Sequence, residues 1–272
     1  IADLKKNGIT ILFVSHKLDE VFEISDSITI LRSGENVISC PASEMTEEQF
    51  AYYMTGRHFD NQELADNKKR TYGEEVLSVE NLSAPGFEDI SFKLHKGEIL
   101  GVTGQLGSGR TELSLSLFGL NRPTAGRIMV EGKEAKLTDV SKAEELGIAL
   151  VPEDRLTEGL FLPQSIIKNI TVTRFDALAG RLGFIREDSL VEESAKWVKE
   201  LGVATKNHEF PVQTLSGGNQ QKVVLAKWLA NNPKILVLNG PTVGVAIGAK
   251  YDIHKLLHKL AADGMAIIVV SD

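Results

Sequence analysis

A glycine-rich segment, Gly104-Gln105-Leu106-Gly107-Ser108-Gly109-Arg110-Thr111, lies between an apolar run and a helical stretch. Glycines allow successive backbone N–H groups to converge on one anion, and the start of the following helix adds positive potential. Thr111 brings a hydroxyl that could bind Mg²⁺, and Arg110 brings a planar cation. The segment therefore predicts a phosphate-binding loop; an ordinary glycine-rich turn between a strand and a helix is the structural alternative.

A second segment, Leu215-Ser216-Gly217-Gly218-Asn219-Gln220-Gln221, stands directly before a predicted helix at Asn219–Ala230. It presents a hydroxyl, free N–H groups and a helix N-terminus, which together could bind another anion. Read alone, Ser-Gly-Gly could be a loop with a helix cap. Its place after a phosphate loop and before an apolar strand favours a nucleotide-related role.

The segments around these two loops predict an α/β protein. Apolar runs at Ile99–Thr103 and Lys234–Leu238 suit buried parallel strands. Glu75–Leu82 and Ile90–Leu94 alternate like antiparallel strands, and residues 160–230 are largely helical in pattern. The predicted fold is thus a phosphate-loop core sheet with an antiparallel edge and a helical subdomain.

Composition excludes several classes of function. With 42% hydrophobic and 25% charged residues among 272, the chain can bury an ordinary core. The net charge of −7 gives no support for binding nucleic acid. The single cysteine, Cys40, permits no internal disulfide and suits a reducing cytosol. No apolar run approaches the roughly 20 residues that span a bilayer, so we expect any membrane role to act through a partner.

An internal repeat organises the chain. Residues 8–16 and 264–272 both read as a turn glycine, an apolar run suited to a buried parallel strand, and then serine with a polar residue. Similar strands are common in α/β proteins, so the match alone leaves chance open. We expect a piece of a longer protein, in which residues 1–40 end a first domain, residues 41–72 form a helix and linker, and residues 73–272 form most of a second domain.

The motifs together resemble a known family. Gly104–Thr111, Leu215–Gln221 and the strand ending in Asn239-Gly240-Pro241-Thr242 are similar to the Walker A, signature and Walker B regions of ABC ATPases. The form Leu-Ser-Gly-Gly-Asn-Gln-Gln-Lys-Val and the segment Val-Pro-Glu-Asp-Arg at 151–155 resemble the tandem-domain ATPases of ribose, galactose and xylose importers. The resemblance implies an ABC-type P-loop NTPase fold with a mixed core sheet. It also implies ATP and Mg²⁺ as ligands, bound weakly or not at all in this piece.

This sequence departs from the family pattern at the positions that carry hydrolysis. Where the Walker B strand of the family normally ends in Asp-Glu, it has Asn239 and Gly240, which supply neither a metal charge nor a base. Glu153 stands at the glutamine-loop position and is a possible catalytic residue and, with the loop threonine, a possible Mg²⁺ ligand. His16, the histidine-switch position of the first copy, is the other possible catalytic residue, and Asp272 replaces histidine in the second copy.

The resemblance implies a division of labour between two domains, because ABC domains dimerise head to tail. This domain is then a degenerate, hydrolysis-deficient nucleotide site that supplies its signature segment to the competent site of the other nucleotide-binding domain. The candidate nucleotide-binding residues are Gly104, Gln105, Leu106, Gly107, Ser108, Gly109, Arg110, Thr111, Glu112, Leu215, Ser216, Gly217, Gly218, Asn219 and Gln220.

The same resemblance implies partners and a location. The expected partners are transmembrane permease subunits, the other nucleotide-binding domain and, indirectly, a periplasmic or extracellular sugar-binding protein. The expected location is the cytoplasmic face of the membrane. Two alternatives remain: a catalytically silent partner domain, and a soluble ABC ATPase unrelated to transport.

Overall fold

The computed structural model describes residues 1–15, 17–32, 34–58, 71–180 and 183–271. Contacts between residues divide the chain into two units. The first holds the described residues between 1 and 68 together with 246–252, and the second holds those between 69 and 245 together with 253–272. His16, Asp272 and most of the predicted linker lie outside the described residues.

The first unit is a small α+β assembly. Apolar side chains from its hairpin and helices, including Val21, Ile28 and Phe50, form its buried core. Thr46 and Gln49 form a capping box that starts the predicted helix at Glu47. The elements are α1 (Ala2–Lys6), α2 (Leu18–Ile24), the antiparallel pair β1 (Ser27–Arg32) and β2 (Glu35–Pro41), and α3 (Glu47–Thr55).

The predicted strand within residues 8–16 is wrong. Residues 9–15 form no strand, and Leu12 and Val14 are 92% and 88% exposed. A parallel strand is stable only beside neighbours that pair with its backbone. Among the described residues of the first unit the one sheet is the β1–β2 hairpin. An apolar run without such neighbours gains nothing from strand geometry.

The second unit is built on a four-stranded parallel sheet. In spatial order its strands are β5 (Ile99–Thr103), β10 (Ala266–Ser271), β9 (Ile235–Asn239) and β8 (Ile148–Val151). Every residue of β8 and β9 is buried, as expected for parallel strands covered on both faces. Because the carboxyl ends of parallel strands share one edge, the segments after β5, β8 and β9 meet there.

A second, antiparallel sheet and several helices complete this unit. The sheet has the order β4 (Phe87–His95), β3 (Glu75–Ala84), β6 (Ala125–Val130) and β7 (Lys133–Glu134). Apolar residues of both sheets pack in one core with the first helix after β5. The predicted α/β class and the two kinds of sheet are confirmed. The helices are α4 (Arg110–Leu117), α5 (Val140–Glu145), α6 (Ile166–Thr171), α7 (Phe175–Leu178), α8 (Glu187–Glu200), α9 (Gly217–Leu229) and α10 (Ile247–Ala262), of which α10 begins in the first unit.

The predicted helical subdomain is also present. It holds α6, α7 and α8, and its entry is fixed by the fully buried Asn169. The Asn169 amide donates to the carbonyls of Phe161, Gln164 and Ser165 and accepts from the Phe161 N–H. One polar side chain therefore satisfies an irregular backbone that would otherwise be costly to bury.

Candidate functional site

The phosphate loop has the backbone that only glycine allows. Gly107 and Gly109 have φ angles of +81° and +88°. A Cβ on Gly109 would lie 2.3 Å from the carbonyl oxygen of Gly86, so any side chain there would collide with backbone. Helix α4 begins at Arg110, and its first four N–H groups have no intrahelical acceptor. The loop therefore offers unpaired amides and a positive helix end to an anion.

Arg110 lies against the loop it follows. Its Nη1 donates to the carbonyl oxygen of Gly104, the first residue of the loop. The guanidinium is thus held beside the loop by one of its N–H groups. Arginine supplies the positive charge in a wider, planar form than lysine would.

A small polar cluster forms where α4, β8 and β9 meet. The Nδ2 of Asn239 donates to the Oγ1 of Thr111 over 3.2 Å, and that hydroxyl lies 3.4 Å from the Oε2 of Glu153. Asn239 is buried, and a cleft of about 530 Å³ opens at these three side chains. Three sequence-predicted residues, distant in the chain, are therefore adjacent.

Gly240 lies beside this cluster and brings no side chain to it. Its φ is +55°, and a Cβ there would lie 2.9 Å from a methyl of Val243 and 3.2 Å from the Cγ of Glu153. The carboxylate side chain beside position 240 is therefore that of Glu153, which follows β8 rather than β9.

The donor set at the cluster suits Mg²⁺ only in part. The Thr111 hydroxyl and the Glu153 carboxylate are hard oxygen ligands, and Mg²⁺ in nucleotide sites is commonly held by one or two protein oxygens plus phosphates. Asn239 turns its N–H₂ group toward Thr111, so its amide donates there. The residues present fit a metal held by Thr111 and Glu153, with no charge from Asn239. Across the described residues, no group of three or more His, Cys, Asp or Glu side chains could hold a metal by itself.

The second predicted anion site lies at the start of α9. Ser216 is exposed at the N-cap, and its side chain accepts no bond from the first-turn amides. A Cβ on Gly217 would lie 2.9 Å from an arginine nitrogen and 3.0 Å from the Gly244 carbonyl oxygen, so a side chain there would be tightly packed. Gln220 is buried and contacts the carbonyl of Val212 over 3.5 Å, which anchors the first turn rather than exposing an amide.

Arg155 is a residue that the sequence patterns did not single out. Its Nη1 donates to the Val243 carbonyl over 2.7 Å and its Nη2 to the Gly244 carbonyl over 3.0 Å. The nitrogen that lies against Gly217 is Nη2 of this same side chain. Arg155 therefore connects the segment after β9 to the start of α9. Its place in Val-Pro-Glu-Asp-Arg was the available signal.

The turn that carries Arg155 is held at its other end by a buried lysine. Residues Arg155–Gly159 form a π-helical turn capped by Asp154. The Nζ of Lys227, on α9, donates to the Gly159 carbonyl over 2.6 Å. Burial lowers the pKa of Lys227 to about 8. The turn between Glu153 and the helical subdomain is thus bonded to the segment after β9 at one end and to α9 at the other.

Comparisons with known proteins agree with this fold and these motifs. A family model described as ABC transporter matches residues 87–243, and the chain belongs to the ABC transporter family. A nucleotide-free ATP-binding cassette from an ABC transporter superposes with a TM-score of 0.64 at 22% identity, over 73% of this chain and 82% of that one. A dimeric post-hydrolysis cassette bound to ADP and Pi gives 0.62 at 22% identity, over 72% and 87%. These likenesses show the ABC cassette fold.

Relatives with higher identity have names that refer to sugar import. A putative ribose/galactose/methyl galactoside import ATP-binding protein of Rhizobium etli is 42% identical over 272 residues, which are all of this chain and 51% of that protein. The xylose import ATP-binding protein XylG of Thermoanaerobacter pseudethanolicus is 40% identical in an alignment of 280 positions, which covers all of this chain and 55% of that protein. The chain spans about half the length of these relatives. No helix in the described ranges has the length and apolar character needed to cross a membrane.

Proposed function

We propose that this chain is part of the ATP-binding subunit of a sugar importer, in which a partner domain completes the catalytic unit. The names of the full-coverage relatives support sugar import, and the likeness to ABC cassettes supports ATP as the nucleotide. Residues 1–40 are the end of a first nucleotide-binding domain, residues 41–72 a helix and linker, and residues 73–272 most of a second one. Permease subunits at the cytoplasmic face of the membrane, and indirectly a sugar-binding protein, are the further partners.

We infer that the nucleotide site of this domain binds ATP but turns it over poorly. The observation that carries this is the hydrogen bond from Asn239 to Thr111. It places a neutral amide where a metal-ordering carboxylate would act, and Gly240 next to it has no side chain to activate water. The phosphate loop, with Arg110 at its mouth, still supplies N–H donors and positive charge. Thr111 and Glu153 would hold Mg²⁺, which neutralises phosphate charge when bound.

The start of α9 acts on a different nucleotide. Ser216 presents an exposed hydroxyl, and the half-buried Gly217 and buried Gly218 follow it in the first turn of the helix. A head-to-tail pair of domains would place these groups against the phosphates held by the partner's loop. The domain thus contributes to catalysis in trans even where its own site is slow.

Binding and turnover measured on the same chain test this proposal. Calorimetric titration of ATP with Mg²⁺ should show binding that weakens with Arg110→Ala, while steady phosphate release stays at background. Arg127→Ala is the matched control, because Arg127 makes an exposed ion pair with Glu80 away from the loop. Robust turnover by the unmodified chain would show that a base is present after all. Unchanged affinity in Arg110→Ala would remove the role given to that side chain.

A second candidate function is a silent partner domain that binds no nucleotide. The hydrogen bonds of the Thr111 hydroxyl with Asn239 and Glu153 favour this candidate, because that hydroxyl already has partners within the protein. The two candidates differ in one measurement. A silent domain shows no heat of ATP binding with or without Mg²⁺, whereas a degenerate site shows saturable binding without turnover.

A further inference from the structure

The side chain of Asn219 joins two segments at the start of α9. Its Oδ1 accepts the backbone N–H of Ala204 over 2.8 Å, and its Nδ2 donates to the Oγ of Ser216 over 3.0 Å. Ala204 follows the end of α8, and Ser216 is the N-cap of α9. One amide therefore spans the gap between the helical subdomain and the exposed hydroxyl of the signature segment.

The chemistry of these partners fixes the direction of both bonds. A backbone N–H can only donate, so the amide oxygen of Asn219 must face Ala204 and its N–H₂ must face Ser216. The Ser216 oxygen is then an acceptor in this bond, and its own proton has to point elsewhere. In the part of the chain that the structure describes, no acceptor takes that proton, and Ser216 is exposed. The hydroxyl is thus left as an outward-facing donor.

We propose that Asn219 is a positioning residue that holds the Ser216 hydroxyl as a donor for the terminal phosphate of the nucleotide on the partner domain. This inference rests on the proposed function, because it requires the signature segment to act in trans. With its proton directed outward, Ser216 adds an O–H donor to the free N–H groups of Gly217 and Gly218. An amide that donates to Ser216 also blocks the competing arrangement, in which the serine would donate to its own protein.

Asn219→Asp is the sharpest variant because it changes the direction of one bond and keeps the other. Aspartate has nearly the same shape and still accepts the Ala204 N–H. Aspartate cannot donate, so the Ser216 hydroxyl donates its hydrogen bond to the carboxylate instead. That hydroxyl can then no longer donate to a phosphate. Asn219→Ala removes both bonds.

Amide exchange measured by NMR on the chain tests the geometry without reference to nucleotide. The Ala204 amide should exchange about tenfold or more faster in Asn219→Ala and close to the unmodified rate in Asn219→Asp. Asn207→Ala is the matched control, because Asn207 accepts the Glu209 N–H in an exposed loop and should affect that amide alone. An unchanged exchange rate of the Ala204 amide in Asn219→Ala would show that Asn219 does not bond to Ala204, and the inference would be wrong.

A double-mutant cycle in the full-length subunit tests the role in turnover. Asn219→Asp should lower the ATPase kcat about 10- to 100-fold with little change in KM, since a donor to a charged group is lost while the other domain's loop still binds the nucleotide. In a Ser216→Ala background the same change should cost less than about twofold. An equal loss in both backgrounds would mean that the new charge acts directly, and the positioning role would be wrong.

The failure of this inference is distinguishable from failure of the proposed function. If Ser216→Ala leaves kcat unchanged while Ser216→Arg abolishes turnover, the signature acts in trans but its hydroxyl does not, and the inference is overturned alone. If Ser216→Arg is also harmless, the signature has no role in trans and both fail.

Discussion

The two candidate anion sites of the second unit, the phosphate loop and the start of α9, both have glycines before a helix but differ in how their side chains are bonded. At the phosphate loop, Arg110 bonds to a loop carbonyl and Thr111 bonds to Asn239, so the side chains are already engaged within the protein. At the start of α9, the Ser216 hydroxyl keeps an unused proton among the described residues and faces outward. Glycines before a helix therefore do not define a function by themselves. The side chains around them differ in whether they already have hydrogen-bond partners within the protein.

The largest effect should separate the two sites directly. In the full-length subunit, Ser216→Arg should lower ATPase activity about 100-fold or more, because it fills the open site with a bulky side chain. Arg110→Ala should cost less than about tenfold, because its own site contributes little turnover. Equal losses of ATPase activity in the two variants would indicate two equivalent sites and would contradict the proposed difference between the phosphate loop and the start of α9.

The next largest effect concerns the missing base. Restoring Asn239→Asp together with Gly240→Glu in the chain should raise phosphate release about tenfold above background. General-base assistance is typically worth roughly 10²–10⁴-fold, but a glutamate at position 240 would need a left-handed backbone. Adding Val243→Ala should increase the gain, because a Val243 methyl lies 2.9 Å from the new Cβ. The control adds Arg110→Ala to these substitutions, and its phosphate release should remain at background. Phosphate release above background in this control would show that the loop does not hold the reacting phosphate.

A smaller effect tests the connection between the two sites. Arg155→Ala removes two hydrogen bonds to the carbonyls of Val243 and Gly244, so exchange of the amides in residues 242–245 should rise about tenfold. Arg155→Lys can keep only one of these bonds and should give an intermediate rate. Arg127→Ala should leave the same amides unchanged. If all three variants exchange alike, the two segments are independent.

The smallest effect depends on pH. Burial lowers the pKa of Lys227 from 10.5 to about 8, so between these values the unfolded chain binds a proton that the folded chain has released. The free energy of unfolding should therefore rise with pH across that window, by up to about 1.4 kcal/mol for each unit of pKa shift. The free energy of unfolding can be measured with urea at pH 7.5 and pH 10, each within about half a unit of one of the two pKa values. The increase between these two pH values should be smaller in Lys227→Met than in the unmodified chain. Lys234→Met, which alters an exposed ion pair with Glu131, should keep the full rise.

Features set by local pattern were predictable from the sequence. Apolar runs located the strand at Ile99–Thr103, and glycine spacing located the loop between it and the following helix. The strand expected in residues 9–14 failed because strand formation depends on neighbours, and an apolar run carries no information about them. The identity of the family followed from motifs, and the comparisons support it.

The connecting residues could not be predicted, because their roles depend on tertiary contacts. Asn219 was named only as part of a motif, although a spacing of three on a helix hints at a bond to Ser216. Its second bond, to Ala204, appears only when two helices are placed. Arg155 likewise gains its role from carbonyls that lie almost ninety residues away in the chain. Sequence patterns thus singled out the candidate ligand-binding groups and missed the residues that bond to the segments carrying them.

The backbone at Gly240 bears on how a glutamate could arise at this position over evolutionary time. A glutamate arriving there first would carry a left-handed conformation, at about 1–2 kcal/mol, and would press on Val243 before it gave any benefit. A smaller residue at 243 relieves that pressure, and Asn239→Asp needs no new space. The order of substitutions therefore matters. The smaller residue at 243 comes first, Asn239→Asp second and the glutamate at 240 last. A lineage that takes the steps in the reverse order passes through less stable intermediates, so a change from glutamate to glycine at position 240 is easier than its reversal.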